Sequence, residues 1–121
     1  MAESIIYQYP NCSSCKKALD WMDEKKIEYK SIHIVEAPPS ARDLKELIEK
    51  SGLPVRKFFN TSGRRYRELG LKDKLDSMSI DEAAELLAGD GMLIKRPLLV
   101  NGDTILPGFK DSLWGSSIVT E

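Results

Sequence analysis

Apolar residues change their spacing several times along the chain, and each change marks an element. Ser4 to Tyr9 is a short apolar run, and Pro10-Asn11 punctuate it before Cys15, Ala18, Leu19 and Met22 recur at helical spacing. That pattern predicts a strand followed by a helix. Ile27 to Val35 alternates as a second strand, so the helix between makes a crossover joining parallel strands, and Pro38-Pro39 end the second one. Ser40 and Asp43 have capping-box spacing, and Leu44, Leu47 and Ile48 repeat on one face until Gly52, which predicts a helix over about 40–50. From Gly52 to Ser79, Phe58-Phe59 are mixed with Gly63, Arg64, Arg65, Arg67 and Gly70, a pattern of short helical turns rather than strands. Ser79 and Glu82 form a second capping box, after which Ile80, Ala83, Ala84 and Leu87 mark a helix that Gly89 is expected to close. Lys95 to Val100, Asn101-Gly102-Asp103 and Thr104 to Leu106 read as a β-hairpin with an Asn-Gly turn signal. Pro107-Gly108 break its second strand, and Phe109 to Trp114 is expected to form a short terminal helix.

The order is therefore βαβ, a helical insert over about 40–90, then ββα. It resembles an α/β, thioredoxin-like fold, a mixed sheet flanked by helices. The chain has 121 residues, 41% of them hydrophobic, which suits one core and a single domain spanning 1–121. Lys plus Arg number 18 against 19 Asp plus Glu, so a net charge of −1 provides no global field for nucleic acid or an anionic membrane. Met1 to Ser4 lacks the basic and apolar regions of a leader, and no stretch approaches the roughly 18 apolar residues of a membrane span. The expectation is a cytoplasmic protein.

Only Cys12 and Cys15 supply thiols, and they fall where the first strand turns into the first helix. A close pair at that place points to redox chemistry rather than to a structural staple. The thiolate is the nucleophilic form, and the unsatisfied N–H groups and positive dipole end of a helix favour it. Cys12 faces that end, while Cys15 lies one turn in, so Cys12 is read as the nucleophile and Cys15 as the resolving thiol. Core packing is the competing reading for Cys15. Zinc would need about four ligands, and with only His33 to add to the pair, no metal is expected. His33 lies away from every motif and receives no role, and Trp21, Trp114, Phe58 and Phe59 are read as core or edge packing.

Several spaced motifs resemble the ArsC family of arsenate reductases and Spx/MgsR regulators. They are Tyr9-Pro10-x-Cys12-x-x-Cys15-Lys16-Lys17-Ala18, Phe59-Asn60-Thr61-Ser62-Gly63, Tyr66 to Leu71, Leu93 to Leu98, and Gly108-Phe109. The resemblance covers about residues 5–114. It implies that Pro97 is cis and faces the cysteine motif, and that Arg96 carries its guanidinium toward Cys12 to stabilise a thiolate or bind an oxyanion. The substrate-binding set it suggests is Asn11, Ser13, Ser14, Asn60, Arg96 and Pro97, with Cys12, Cys15 and Arg96 catalytic.

One departure matters. Glutaredoxin-coupled arsenate reductases gather arginines around the cysteine, but here Asn60 stands where one is expected and Pro107-Gly108 where another would fall. Each lost charge-assisted contact removes about 1.5–3 kcal/mol. Arg64, Arg65 and Arg67 are candidate substitutes, with a solvated loop face as the competing reading. Three functions follow from the resemblance. The first is a thiol-disulfide oxidoreductase acting on a disulfide or oxidised small molecule. The second is a glutaredoxin-coupled arsenate reductase. The third is a redox-sensing regulator that binds RNA polymerase. No bound cofactor is expected; glutathione or a glutaredoxin- or thioredoxin-type protein would supply electrons.

Overall fold

The computed structural model describes residues 4–117. Chain order runs β1 (Ser4–Gln8), α1 (Ser13–Glu24), β2 (Tyr29–His33), α2 (Ala41–Ser51), α3 (Arg64–Glu68), α4 (Ile80–Gly89), β3 (Leu98–Asn101), β4 (Thr104–Pro107) and α5 (Asp111–Ser117). Single 3-10 turns at Val55–Phe58, Leu71–Asp73, Leu75–Ser77 and Gly91–Leu93 fill the stretches between helices. The strands form one sheet in the order β2-β1-β3-β4, with β1 parallel to β2 and antiparallel to β3, and β3 antiparallel to β4. The architecture is α/β and thioredoxin-like, a mixed sheet flanked by helices.

Alternation along each strand sorts the core onto two faces. Ile6, Leu99 and Leu106 are neighbours in register, and they pack with Ala18 and Met22 of α1 and Trp114 of α5. The next residues along point the other way. Leu98 and Ile105 join Leu44 and Ile48 of α2, Ala83, Ala84 and Leu87 of α4, and the pair Phe58-Phe59. Each fully buried large side chain contributes about 1.5–3 kcal/mol, so the two helical layers hold the strand ends in place. Trp114 is fully buried with its Nε1–H donated to the Gly108 carbonyl at 3.1 Å, whereas Trp21 is half-buried and meets Phe109 and Trp114 edge-on.

Capping follows the sequence closely. Ser40 Oγ accepts from the Asp43 amide at 3.1 Å, and Gly52 ends α2 in the left-handed region with φ 69°. At α4, Ser79 and Glu82 exchange both capping-box hydrogen bonds, each 3.1 Å.

Several boundaries differ from expectation, among them the terminal helix, which runs Asp111–Ser117 rather than Phe109 to Trp114. β2 is only Tyr29–His33, although the Ile34 amide still bonds the Gln8 carbonyl at 2.9 Å before its side chain turns into the core. Gly89 is the last residue of α4 rather than its stop; Asp90 caps there and its carboxylate starts the next turn by accepting from the Met92 amide at 3.0 Å. β3 begins at Leu98, not Lys95. The Lys95 amide is drawn to the Phe58 carbonyl at 2.8 Å, Phe59 and Ile94 form an isolated bridge, and the cis Arg96-Pro97 bond follows. In the hairpin Asn101 pairs with Thr104 as a strand residue, leaving Gly102-Asp103 as the turn, with Gly102 at φ 60°. Asn101 bonds Ser4 Oγ at 2.7 Å instead of making the turn.

Candidate active site

The site is built where β1 runs out. Past Gln8 the chain bends through Tyr9-Pro10-Asn11, closed by the Cys12 amide bonding the Tyr9 carbonyl at 3.1 Å, and Cys12 becomes the N-cap of α1 in extended conformation. Its Sγ takes the place usually held by a Ser or Asp oxygen, accepting from the Cys15 amide at 3.3 Å. A hydrogen bond to sulfur from an otherwise unpaired helix amide stabilises negative charge on it. Cys12 is half-buried, and Asn11, Ser13 and Ser14 around it are exposed. Cys12 is therefore the more exposed of the two cysteines.

Cys15 has the opposite setting. It is 1% exposed, and its Sγ accepts from the Tyr9 amide at 3.5 Å. Burial, reinforced by the hydrogen bond and charge of Cys12, pushes its thiol up to about 12, against smaller lowering by the Tyr9 amide and the Arg96 charge. At neutral pH Cys15 is a protonated thiol. Both cysteines are free.

Arg96 lies just ahead of β3. The antiparallel register pairs Tyr7 with Leu98, and two further steps bring Arg96 beside Tyr9. There its guanidinium lies 5.1 Å from the centroid of the Tyr9 ring, with Nη1 donating to the Met92 carbonyl at 3.3 Å. The bond to Pro97 is cis, and the Pro97 carbonyl accepts from the Gly108 amide at 2.8 Å.

Asn60 is attached to the same 91–93 turn through its amide, which bonds the Leu93 carbonyl at 2.7 Å, while its Oδ1 accepts from Ser62 Oγ at 3.5 Å. Cys12, Cys15 and Arg96 are thus gathered around Tyr9, whereas the contacts of Asn60 lie with Leu93, Ser62 and Gly63.

The arginines weighed as substitutes divide differently. Arg65 binds Asp90 at 2.8 Å and Glu68 at 3.0 Å, and Arg67 donates to the Ser62 carbonyl at 3.0 Å, so both brace the loop; Arg64 is exposed. Arg56, bound to Asp76 at 2.9 Å, lines an open cleft of about 540 Å³ with Tyr66, Arg67 and Lys72. Among the described residues, no three His, Cys, Asp or Glu side chains are grouped to hold a metal, and no helix is long and apolar enough to cross a membrane.

Sequence reasoning gave no role to Tyr9, beyond its place in the cysteine motif, or to His33, and the structure brings the two together. His33 packs edge-on against Tyr9 with ring centroids 5.6 Å apart, although it is far from the motif in sequence. An aromatic residue directly before the proline of the cysteine loop was the available signal for Tyr9; nothing local pointed to His33.

A parallel β-α-β unit whose helix is capped by the first cysteine of a Cys-x-x-Cys pair, with a cis-proline at the head of the next strand, defines a thioredoxin-like protein with a thiol pair at its usual corner. The chain belongs to the ArsC family, whose model matches residues 7–116. YusI of Bacillus subtilis, an uncharacterized protein, is 58% identical over 88% of this chain and 90% of its own, and the regulatory protein MgsR of the same organism is 27% identical over 86% and 81%. Among solved structures, a protein of Streptococcus mutans described as a possible arsenate reductase is 50% identical at a TM-score of 0.85, covering 91% of this chain and 93% of that one. An ArsC-family-related protein of Bacteroides fragilis is 46% identical at 0.90, covering 96% and 98%.

Proposed function

We propose that this protein is a thiol-disulfide oxidoreductase of the ArsC family with Cys12 as nucleophile. The observation that carries the reading is the asymmetry of the pair. Cys12 is half-buried and its Sγ receives the Cys15 amide at 3.3 Å, while Cys15 is buried with its thiol held up to about 12. In the first step the Cys12 thiolate attacks one sulfur of a disulfide, forming a mixed disulfide and releasing the other half as a thiolate. In the second, Cys15 attacks Cys12 Sγ while its proton passes to the departing substrate sulfur; the intramolecular disulfide forms and the second half of the substrate leaves as a thiol. The substrate gains two electrons and the pair loses two. Glutathione or a glutaredoxin- or thioredoxin-type protein then returns two electrons to Cys12-Cys15.

Loss of the Cys12 charge on forming the mixed disulfide removes one of the influences raising Cys15, so the first step favours the second. Arg96 supplies positive charge to the thiolates that attack and leave. Asn11, Ser13 and Ser14 border the approach to Cys12, and Pro97 and Asn60 complete the proposed substrate-binding set. The test is to trap the partner as a mixed disulfide on Cys12 in the Cys15→Ser variant. Recovery of a defined small thiol or protein on Cys12 supports the reading; a Cys12 that stays free under every oxidant removes it.

Two other readings rest on relatives. The likeness to the Streptococcus mutans structure supports arsenate reduction, against which stands Asn60 at an expected arginine, and arsenate-dependent consumption of reducing equivalents with glutathione and glutaredoxin decides it. The likeness to MgsR supports a redox-sensing regulator, for which a pull-down with the α subunit of RNA polymerase in both redox states is the test.

A further inference from the structure

We propose that Tyr9 is a positioning residue of the thiol site, its ring seating the Arg96 guanidinium beside the cysteine pair while its backbone ties both cysteines to β1. The inference rests on the thiol reading above and deepens it. Tyr9 contacts every member of the group. Its carbonyl accepts from the Cys12 amide at 3.1 Å, its amide donates to Cys15 Sγ at 3.5 Å, and its ring centroid lies 5.1 Å from the Arg96 guanidinium carbon.

The ring is itself held in place. The His33 imidazole meets it edge-on at 5.6 Å, and His33 is fixed because its Nδ1 accepts from the Val35 and Glu36 amides, each at 3.2 Å. A guanidinium has five N–H donors, and this one spends one on the Met92 carbonyl at 3.3 Å. Among the described residues no ion pair engages Arg96, whereas Arg56 and Arg65 are both paired with carboxylates. The aromatic seat explains the choice. A carboxylate would hold the guanidinium but cancel its charge; a π-face holds it by the ring quadrupole and leaves its charge and edge donors available to an anionic sulfur or oxyanion.

The test measures the pH–rate profile of Cys12 alkylation by iodoacetamide in the full-length chain. The variants are Arg96→Met, Tyr9→Leu, Tyr9→Phe and the double variant Tyr9→Leu/Arg96→Met, with thermal melts alongside. Arg96→Met is expected to slow alkylation at neutral pH several-fold and move the profile to higher pH. Tyr9→Leu moves it the same way with a two- to five-fold loss, Tyr9→Phe restores the wild-type profile, and the double variant is no worse than Arg96→Met alone. Should Tyr9→Leu fail to fold, Tyr9→Gln gives the same comparison. Three results overturn the proposal while leaving Arg96 in the mechanism: a wild-type profile in Tyr9→Leu, a Tyr9→Phe as impaired as Tyr9→Leu, or additive losses in the double variant. An unchanged profile in Arg96→Met removes Arg96 from the thiol chemistry, and Tyr9 with it.

Discussion

Arginines occur at two places in this molecule under opposite conditions. In the 52–79 stretch, Arg56 and Arg65 lie on the surface with carboxylates at 2.8–3.0 Å, and those partners hold both guanidiniums in their charged form. At the end of β1, half-buried Arg96 has a carbonyl and an aromatic face for partners. The first arrangement cancels charge to brace a loop; the second preserves charge beside two thiols. Counting arginines in a sequence cannot separate the two, because what decides function is which donors remain unspent.

The strongest way to break the comparison is at the thiols. Cys12→Ser is expected to abolish reduction of a small aromatic disulfide, while Cys15→Ser slows it or makes it depend on added thiol, as steady-state assays with and without glutathione would record. Equal, full activity in both variants would take the pair out of the mechanism. A second test concerns the turn that carries both regions. Gly91 is buried, and a Cβ there would run into the Ile34 carbonyl and the Val35 backbone, neither of which is a flexible side-chain end. Gly91→Ala is expected to cost about 1–3 kcal/mol of stability by denaturant unfolding. Because Met92 and Leu93 hold Arg96 and Asn60, part of the change should also appear in Cys12 reactivity.

Cys15 gives a pH test with a definite sign. Its folded thiol is raised to about 12 from an ordinary 9.0, so the native state keeps its proton where the unfolded chain releases it. That contribution to stability is complete below about pH 9 and is lost as pH rises toward about 12. Urea midpoints should therefore fall more steeply above pH 9 in the wild type than in Cys15→Ala. Iodoacetamide at pH 8 should label Cys12 alone in the native protein and both thiols once urea unfolds it. Early labelling of Cys15 would sink the asymmetry on which the order of attack depends.

Much of the fold was legible because its signals are local. Ser40, Gly52, Ser79 and Glu82 satisfy helix ends within a few residues of themselves, so spacing alone reveals them. The start of β3 was not, since Lys95 is drawn out of the strand by the Phe58 carbonyl, a partner far back in sequence. The site divides along the same line. Cys12 and Cys15 sit on one helix and read directly, and Arg96 came through the family motif. Tyr9 and His33 could not be assigned, because their contact joins the residue just past β1 to the end of β2 and depends on parallel register that no local pattern encodes.

The smallest expected effects lie in the paired arginines, and their smallness is what the comparison requires. Arg56→Gln leaves Asp76 exposed to water rather than stranded, and a solvent-exposed, salt-screened pair of this kind contributes little, so the melting midpoint should barely move. Arg65→Gln releases Glu68 and the partly covered Asp90, so it should be the more costly of the two and still small. Neither should change the pH–rate profile of Cys12, since their charge is spent locally and screened within about 10 Å at 0.1 M salt. A clear shift in that profile from either substitution, with stability unchanged, would mean that the loop arginines act on the thiols after all, and the division between bracing and working guanidiniums would fall.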